Sequence, residues 1–128
     1  MSLEDAEILH ERAEAFLKTA EKLIEEGIYD LAAFNLEQHC QLLLKYKLLI
    51  KTGTYPRTHS LIRLLRELAK ISEKAAKLLE SEESIIHLTK LEDAYIGARY
   101  LPRRYEELEV KAMLRYVKEV FNPLVQQI

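Results

Sequence analysis

Two groups of cationic and aromatic side chains in this sequence could bind an anion. The first group consists of Arg57, His59, Arg63 and Arg66. Spacings of four and three place His59, Arg63 and Arg66 on one face of a helix. Guanidinium groups hydrogen-bond phosphate oxygens, and free amides at a helix N-terminus favour the same anion if His59 lies in the first turn. The alternative is a solvated basic face that balances charge, with His59 fixing the loop by hydrogen bonding.

The second group lies in a predicted loop and consists of Arg99, Tyr100, Arg103, Arg104 and Tyr105. Such a cluster can bind a nucleotide by stacking the base and pairing the phosphate. In the alternative interpretation the tyrosines pack the loop onto the protein, while Arg103 and Arg104 pair with Glu106 and Glu107. Convergence of both groups on one cleft would favour ligand binding.

The second predicted helix carries polar side chains at helical spacing beside a wide apolar stripe. The polar residues are Asn35, Gln38, Gln41 and Lys45, and the stripe runs from Leu42 through Leu44 to Leu48 and Leu49. The polar residues belong either to a solvated surface or to a groove or dimer interface. A helix with apolar residues on more than one face needs more than one packing partner, so the stripe favours dimerisation.

The sequence contains no pattern typical of a metal site, a cofactor site or a known catalytic site. Cys40 lies in a helical apolar stripe, where a free cysteine acts as a small buried apolar group. His39 and Cys40 have no companion pair at a zinc-like spacing, and no HExxH helix, P-loop, GxSxG elbow or glycine-rich dinucleotide turn occurs. We therefore predict no metal, no cofactor and no catalytic residue.

Charge is unevenly distributed along the chain. The net charge is −2, which gives no reason to expect tight nucleic-acid binding and leaves that function undecided. Residues 2–30 contain nine acids and three cations, whereas residues 38–66 contain six cations and no acid. The basic stretch includes the whole first group, together with Lys45, Lys47 and Lys51.

Composition and periodicity predict an all-α protein with one domain over residues 1–128. The 128 residues include 48% hydrophobic residues, three Gly and three Pro, and no segment alternates with the period of a strand. The lone cysteine, the absence of a signal-peptide pattern at the start and the short apolar runs predict a soluble, cytoplasmic protein.

Apolar residues recur at helical spacing in each predicted helix. The first helix carries the stripe Ala6, Leu9, Ala13, Phe16, Ala20 and Leu23, with a capping box at Ser2 and Asp5 and a stop at Gly27. The second runs from about Tyr29 to Lys51, with Ala33, Leu36, Cys40, Leu43 and Ile50 inward, and the short Gly27 connection predicts an antiparallel hairpin.

Shorter helices follow the Gly53 to Pro56 turn. We predict one from about His59 to Lys70 capped by Thr58, one over Ser72 to Glu80, and one that begins after Ser81 and fades near Tyr100. Their inward residues are Leu61, Leu64, Leu65 and Leu68, and then Ile85, Ile86, Leu88, Leu91 and Ala94. The final helix, about Glu106 to Phe121, presents Val110, Met113, Val117, Val120 and Leu124, and Pro123 should end or bend it.

Several short motifs, in this order, resemble the HEPN domain family over roughly Leu3 to Leu124. The run from Gly27 to Ala32, with Gln38, Lys45 and Leu48, is similar to the family's first helical hairpin. Thr58-His59-Ser60-Leu61 resembles its "THxL" motif at the start of the third helix. Ala98-Arg99-Tyr100 resembles its "ARYP" motif, although Leu101 precedes Pro102 here.

The resemblance implies an up-and-down four-helix bundle with one or two extra short helices and frequent homodimerisation. It also implies nucleotide binding or pairing with a minimal nucleotidyltransferase in a toxin–antitoxin-like system. Many members are metal-independent ribonucleases with an Arg followed, after four to six residues, by a His. No Arg and His in this sequence have that spacing, and Gln41 replaces the usual Glu of the second helix.

Our leading hypothesis is therefore a non-catalytic or weakly catalytic homodimeric module that binds a nucleotide-like anion or a nucleotidyltransferase through its basic surface. The first alternative is an RNA-cleaving toxin in which Arg99 stabilises the phosphorane and His59 moves protons. The second is a purely structural dimeric bundle whose basic face only balances charge.

Overall fold

All regular secondary structure is helical in the computed structural model, which describes residues 2–128. Met1, the first residue of the predicted domain, lies outside the described residues. The helices are α1 (Leu3–Glu25), α2 (Tyr29–Thr52), α3 (Leu61–Ala69), α4 (Glu73–Glu80), α5 (Glu82–Gly97), α6 (Glu107–Tyr116), a π-helical segment (Val117–Phe121) and α7 (Asn122–Gln126). Within residues 2–128, none of them has the length and apolar character needed to span a bilayer. The predicted all-α class is confirmed.

α1 and α2 form the predicted antiparallel hairpin. The capping box is present, because Asp5 N donates to Ser2 Oγ over 3.2 Å and Ser2 N donates to Asp5 Oδ2 over 3.0 Å. Gly27 has φ +76°, which makes the left-handed turn after α1. Ala6, Ala13 and Ala20 are fully covered, and the larger members of the predicted stripe, Leu9, Phe16 and Leu23, are half-buried at its edges.

Four helical rods pack in a ring, in which each touches the next. α1 contacts α2, α2 contacts α5, α5 contacts α6 and α6 contacts α1. The short helices α3 and α4 pack on this ring, and α3 buries all four leucines predicted to face inward. Ser81 caps α5 as predicted, and Ser72, predicted as the first residue of a helix, is the N-cap of α4. This is the up-and-down four-helix bundle with two extra short helices.

α2 is the central helix, and its position explains its wide apolar stripe. It contacts α1, α3, α5, α6 and α7. Leu43, Leu44, Leu48 and Leu49 are therefore buried within one chain. Leu42, the first residue of the stripe, is half-buried. The stripe therefore does not by itself require a second copy of the protein, and homodimerisation stays a prediction. Ile50, predicted to face inward, is 38% exposed.

The final helix continues past Pro123, contrary to the prediction that this residue ends or bends it at about Phe121. A proline ring clashes with the carbonyl four residues earlier and cannot donate a hydrogen bond. The wider π-helical turn over Val117–Phe121 accommodates the ring, and α7 then extends to Gln126. The wider turn also shifts the buried face, so that Phe121 and Val125 are fully buried where Val120 and Leu124 were predicted.

α5 ends at Gly97 rather than near Tyr100. Gly97 lies against the loop that follows, where a Cβ atom would be 3.3 Å from the Tyr105 hydroxyl oxygen. Leu88, Leu91 and Ala94 are buried as predicted, Ile85 is half-buried, and Ile86 is 58% exposed instead of facing inward. The outward face of α5 is therefore more apolar than expected.

Candidate functional site

The phosphate-binding interpretation required His59 to lie in the first turn of α3. His59 instead lies before this helix. Ser60 is the N-cap, and its Oγ accepts a hydrogen bond from Arg63 N over 3.2 Å. Thr58, the predicted cap, instead accepts from Ser60 N over 3.1 Å. The exposed His59 ring stacks on Tyr95 of α5, with centroids 4.3 Å apart and an interplanar angle of 4°. His59 is thus held against α5.

The N-terminus of α3 is already occupied by a carboxylate of the same chain. Glu92 Oε1 accepts hydrogen bonds from Ser60 Oγ over 2.6 Å and from Ile62 N over 3.3 Å. An acidic group at this position is favoured by the helix dipole for the same reason that a phosphate would be. Of the amides that we expected to hold a phosphate, Ile62 N is therefore engaged by Glu92, and Arg63 N is engaged by Ser60 Oγ.

The three arginines of the first group remain open to solvent. Arg57, Arg63 and Arg66 are exposed, and none forms an ion pair with an acid in residues 2–128. Arg63 and Arg66 project from α3 three residues apart, which places them on one side of the helix. We call these three residues the arginine strip.

Two lysines of the basic stretch, Lys45 and Lys47, are half-buried on α2. Burial lowers the pKa of Lys47, and the charge of the nearby Lys51 lowers it further. Lys45 lies over the Tyr55 ring, with Nζ 5.4 Å from the centroid, and burial lowers its pKa as well. Cations without acidic partners are thus concentrated along the second half of α2 and on α3.

Arg99, in the second group, is engaged by its own surroundings. Nε and Nη2 donate to the Tyr95 carbonyl oxygen over 2.9 and 2.7 Å, and Nη1 donates to the Tyr100 hydroxyl over 3.3 Å. The guanidinium carbon lies 4.3, 4.8 and 4.6 Å from the ring centroids of Phe34, Tyr95 and Tyr100. Arg99 therefore satisfies a carbonyl at the C-terminus of α5 and fixes the loop, while Tyr100 stays 69% exposed.

Arg103 and Tyr105 pack together at the start of α6. The Arg103 guanidinium carbon lies 3.8 Å from the Tyr105 ring centroid, and Nη2 pairs with Glu109 rather than with the predicted Glu106 or Glu107. The hydrogen bond to Glu109 raises the pKa of Arg103. Tyr105 is 5% exposed, and its backbone N donates to Asp30 Oδ1 over 2.7 Å. This half of the second group packs the loop onto the bundle.

Arg104 is exposed and lines a different groove from Arg103. It lines a groove of about 680 Å³ beside the α1–α2 turn, where Asp30 also lies. It forms no ion pair with Glu106, Glu107 or any other acid in the described chain. Of the other members of the second group, Tyr105 lines the same groove, whereas Arg99, Tyr100 and Arg103 do not.

The two groups converge only in part. One cleft of about 560 Å³ is lined by His59 from the first group and by Arg103 and Tyr105 from the second. Arg57, Arg63, Arg66, Arg99, Tyr100 and Arg104 lie outside it. The cleft holds two cations, Lys90 and Arg103, and two acids, Glu92 and Asp93. Because these charges balance, the cleft gives a phosphate little electrostatic attraction.

A buried carboxylate that the sequence did not point to lies in α2. Glu37 is fully buried and accepts hydrogen bonds from Gln38 Nε2 over 2.6 Å and from Gln41 Nε2 over 2.8 Å. Lys45 Nζ extends this chain by donating to Gln41 Oε1 over 2.9 Å. Burial raises the pKa of Glu37 to about 7. Its position beside Leu36 in the apolar stripe was the only available signal.

Gln41 is buried, so the solvated-surface interpretation of the polar row on α2 was wrong at this position. Gln38 and Lys45 are half-buried, and Asn35 donates to the Leu31 carbonyl oxygen of its own helix over 2.7 Å. The row therefore includes an internal hydrogen-bonded chain that ends at Glu37.

The remaining candidates for site chemistry in the described residues are metal-ligating side chains and the Cys40 thiol. In residues 2–128, no group of three or more His, Cys, Asp and Glu side chains is arranged to hold a metal ion. Cys40 is fully buried, and burial raises the pKa of its thiol, which disfavours the reactive thiolate. Cys40 acts as a small apolar group in the core.

Comparison with known protein families gave a match over nearly the whole chain. A family model described as "HEPN domain" matches residues 6–128. No curated protein and no solved structure matches the chain.

Proposed function

The chain belongs to the HEPN domain family, whose model matches residues 6–128, and from this we propose that it is a non-catalytic or weakly catalytic accessory module. Family membership supports a nucleotide- or RNA-related accessory or toxin-like role. In our proposal the module binds a nucleotide-like anion through the arginine strip. It is a single domain over residues 1–128 and works as a homodimer.

The observation that carries this proposal is the arginine strip itself. Arg57, Arg63 and Arg66 are the arginines of the first group, and all three are exposed and form no ion pair with an acid in the described residues. Arginine hydrogen-bonds phosphate oxygens in pairs and keeps its charge at any physiological pH. Two of the other candidate cations are held by their surroundings, since Arg99 donates to the Tyr95 carbonyl oxygen and Arg103 pairs with Glu109. Arg104 lies apart, in the groove beside the α1–α2 turn.

A minimal nucleotidyltransferase with an acidic surface is the protein partner that this strip would fit, in a toxin–antitoxin-like pair. Complementary charge steers such partners together and fixes their orientation. Because Cys40 is buried and is the only cysteine, we place the pair in the cytoplasm.

Titration of the purified chain with ATP, other nucleotides and the protein encoded by the neighbouring gene tests the proposal. We expect saturable binding of at least one of them, and weaker binding by Arg63→Ala and Arg66→Ala. Arg12→Ala, an exposed arginine on α1, is the matched control. Absence of binding by every candidate, with nucleotides at millimolar concentration, would show that the proposal is wrong. Unchanged binding by the strip variants would favour the purely structural alternative for the basic face.

RNA cleavage is the second candidate function, and one observation favours it. His59 and Arg99 both contact Tyr95, by stacking at 4.3 Å and by a cation–π contact at 4.8 Å. A proton-transferring His and a phosphorane-stabilising Arg would both have to reach the scissile phosphate. An RNA degradation assay with Arg99→Ala and His59→Ala tests this role. Equal cleavage by the wild type and both variants would show that neither Arg99 nor His59 takes part in RNA cleavage.

A further inference from the structure

The outward face of α5 is an exposed apolar and charged surface that the proposed anion site does not use. Ile86, Ile96 and Leu101 are 58%, 43% and 56% exposed, and all three line the 560 Å³ cleft. Thr89, Lys90 and Asp93 lie between the two isoleucines on the same face. Exposed apolar residues that share one concave surface mark an interaction site more often than scattered ones do.

The charges on this face include one cation in excess and one acid without an ion pair among the described residues. Glu109 forms ion pairs with both Lys90 and Arg103. These three residues together therefore carry one excess positive charge. Asp93 is exposed and forms no ion pair with another described residue. One face therefore presents an unbalanced cation centre and an unbalanced acid, three residues apart along α5.

The arrangement is symmetric about Leu91, which is buried on the opposite side of the helix. Ile86 and Ile96 lie five residues before and after Leu91, and Thr89 and Asp93 lie two residues before and after it. A helix rises about 1.5 Å per residue, so the two isoleucines are about 15 Å apart along the axis. If two such helices pack antiparallel with a twofold axis at this level, the Ile86 end of each lies beside the Ile96 end of the other.

We propose that this face of α5 is the surface on which a second copy of the chain docks, through antiparallel packing of the two α5 helices about a twofold axis near Leu91. In this arrangement Asp93 of each subunit lies close to Lys90 and level with Thr89 of the partner subunit. A twofold interface must be complementary to itself. This face meets that condition, because it has an isoleucine at each end and carries both a positive and a negative charge between them. This inference rests on the proposed homodimeric state and identifies its interface.

Charge substitution at two exposed positions tests the proposal. Asp93→Lys would place a lysine beside Lys90 of the partner subunit, and Thr89→Glu would place a glutamate beside Asp93 of the partner subunit. Like charges brought together across an interface weaken association. We expect each variant to raise the dimer dissociation constant roughly tenfold or more in sedimentation equilibrium. An equimolar mixture of the two should form a heterodimer within about threefold of the wild-type affinity, because the introduced glutamate then meets the introduced lysine.

Lys22→Glu, an exposed charge reversal on α1, is the control and should leave the dissociation constant unchanged. Circular dichroism melts identify any variant that fails to fold. If the wild type is a dimer and neither variant weakens it, or if the mixture does not restore association, this interface is wrong while the homodimer stands. If the wild type is monomeric, or binds only a purified nucleotidyltransferase through this face, the second copy is excluded as the occupant. Nucleotide titration of the same samples tests the arginine strip separately.

Discussion

The Glu37 carboxylate has no contact with solvent, yet two glutamines of its own helix donate hydrogen bonds to it. Desolvation destabilises the charged form, and the resulting rise of the pKa to about 7 is only partly opposed by Gln41, Gln38 and Lys45. In the unfolded chain the pKa returns to about 4.5. The carboxyl group therefore ionises at lower pH when unfolded than when folded.

This difference predicts a pH-dependent penalty on folding. Below about pH 4.5 both states are protonated and the penalty is absent; between about 4.5 and 7 it grows, and above about 7 it levels off at about 3 kcal/mol. Glu37→Gln removes the ionisable group. We expect the variant to exceed the wild type in free energy of unfolding by about 3 kcal/mol at pH 8, and to differ little near pH 4.

Urea unfolding at both pH values measures the effect, and Glu83→Gln, an exposed carboxylate at the start of α5, is the control. A stability difference between Glu37→Gln and the wild type that is the same at both pH values would contradict the raised pKa. It would mean that the buried carboxylate is stabilised by its hydrogen bonds as fully as it would be in water.

The sequence indicated that Arg99 is a cation among aromatic residues. It did not indicate that Arg99 fixes the loop after α5. Its engagement with the Tyr95 carbonyl and three aromatic rings predicts that Arg99→Ala lowers the free energy of unfolding by about 1–2 kcal/mol. Lysine cannot form the two hydrogen bonds or stack as a plane, so Arg99→Lys should not restore the loss.

Thermal or chemical unfolding checks this, with Arg104→Ala as the neighbouring control, because Arg104 forms no ion pair in the described residues. Equal stability of the Arg99 and Arg104 variants would show that Arg99 is free for another task, and would strengthen the RNA-cleavage alternative.

At the scale of the helices, the N-terminus of α3 is connected to α5 through Glu92. Ser60 caps α3 and also donates to Glu92 of α5, whereas Ser81 caps α5 without a comparable carboxylate contact. Ser81→Ala should therefore cost about 1 kcal/mol, and Ser60→Ala about 2 kcal/mol, since it also leaves Glu92 without its shortest hydrogen bond. Equilibrium unfolding of the two variants side by side provides the measurement. A Ser60→Ala variant no less stable than Ser81→Ala would argue that Glu92 does not stabilise the start of α3.

The helix ends that could be predicted depend on local sequence alone. The capping box at Ser2, the left-handed Gly27 and the Ser81 cap each involve residues within four positions, so the pattern sufficed. The π-helical turn before Pro123 was missed because a tertiary contact supports it. Buried His39 joins α1 and α7, with ring nitrogens 2.7 Å from the Ala13 carbonyl oxygen and 2.8 Å from Asn122 Oδ1.

The same distinction explains what the sequence predicted about the candidate site. Residue type and spacing are local, so the sequence could name the candidate cations, whose role in binding stays a prediction. The sequence could not show that Arg103 forms an ion pair and Arg63 does not. Arg103 pairs with Glu109 of α6, and no acid of the described residues lies within ion-pair distance of Arg63. The sequence also could not show that Glu92, thirty residues away, would occupy the expected phosphate site.

At the scale of the whole molecule, the charges divide the protein into an acidic hairpin start and a basic second half of α2 with α3. Residues 38–66 contain six cations and no acid in a chain whose net charge is −2. Attraction of an anion to such a patch is electrostatic and is screened by salt. We expect the dissociation constant for ATP to rise at least roughly threefold when the salt concentration increases from about 0.1 M to about 1 M. Calorimetric titration at both salt concentrations would reveal this dependence, and a constant affinity would instead indicate an apolar binding mode.

The central claim is that the arginine strip, and not the cleft beside α5, receives the phosphate-bearing ligand. Chemical-shift mapping of the ¹⁵N-labelled protein during an ATP titration tests this most directly, because it locates the ligand without any substitution. Our account predicts saturable shifts concentrated at Arg57, Arg63 and Arg66 and their neighbours, with small changes at Lys90 and Arg103. Shifts concentrated at Lys90 and Arg103, or no saturable shifts at millimolar ATP, would contradict it.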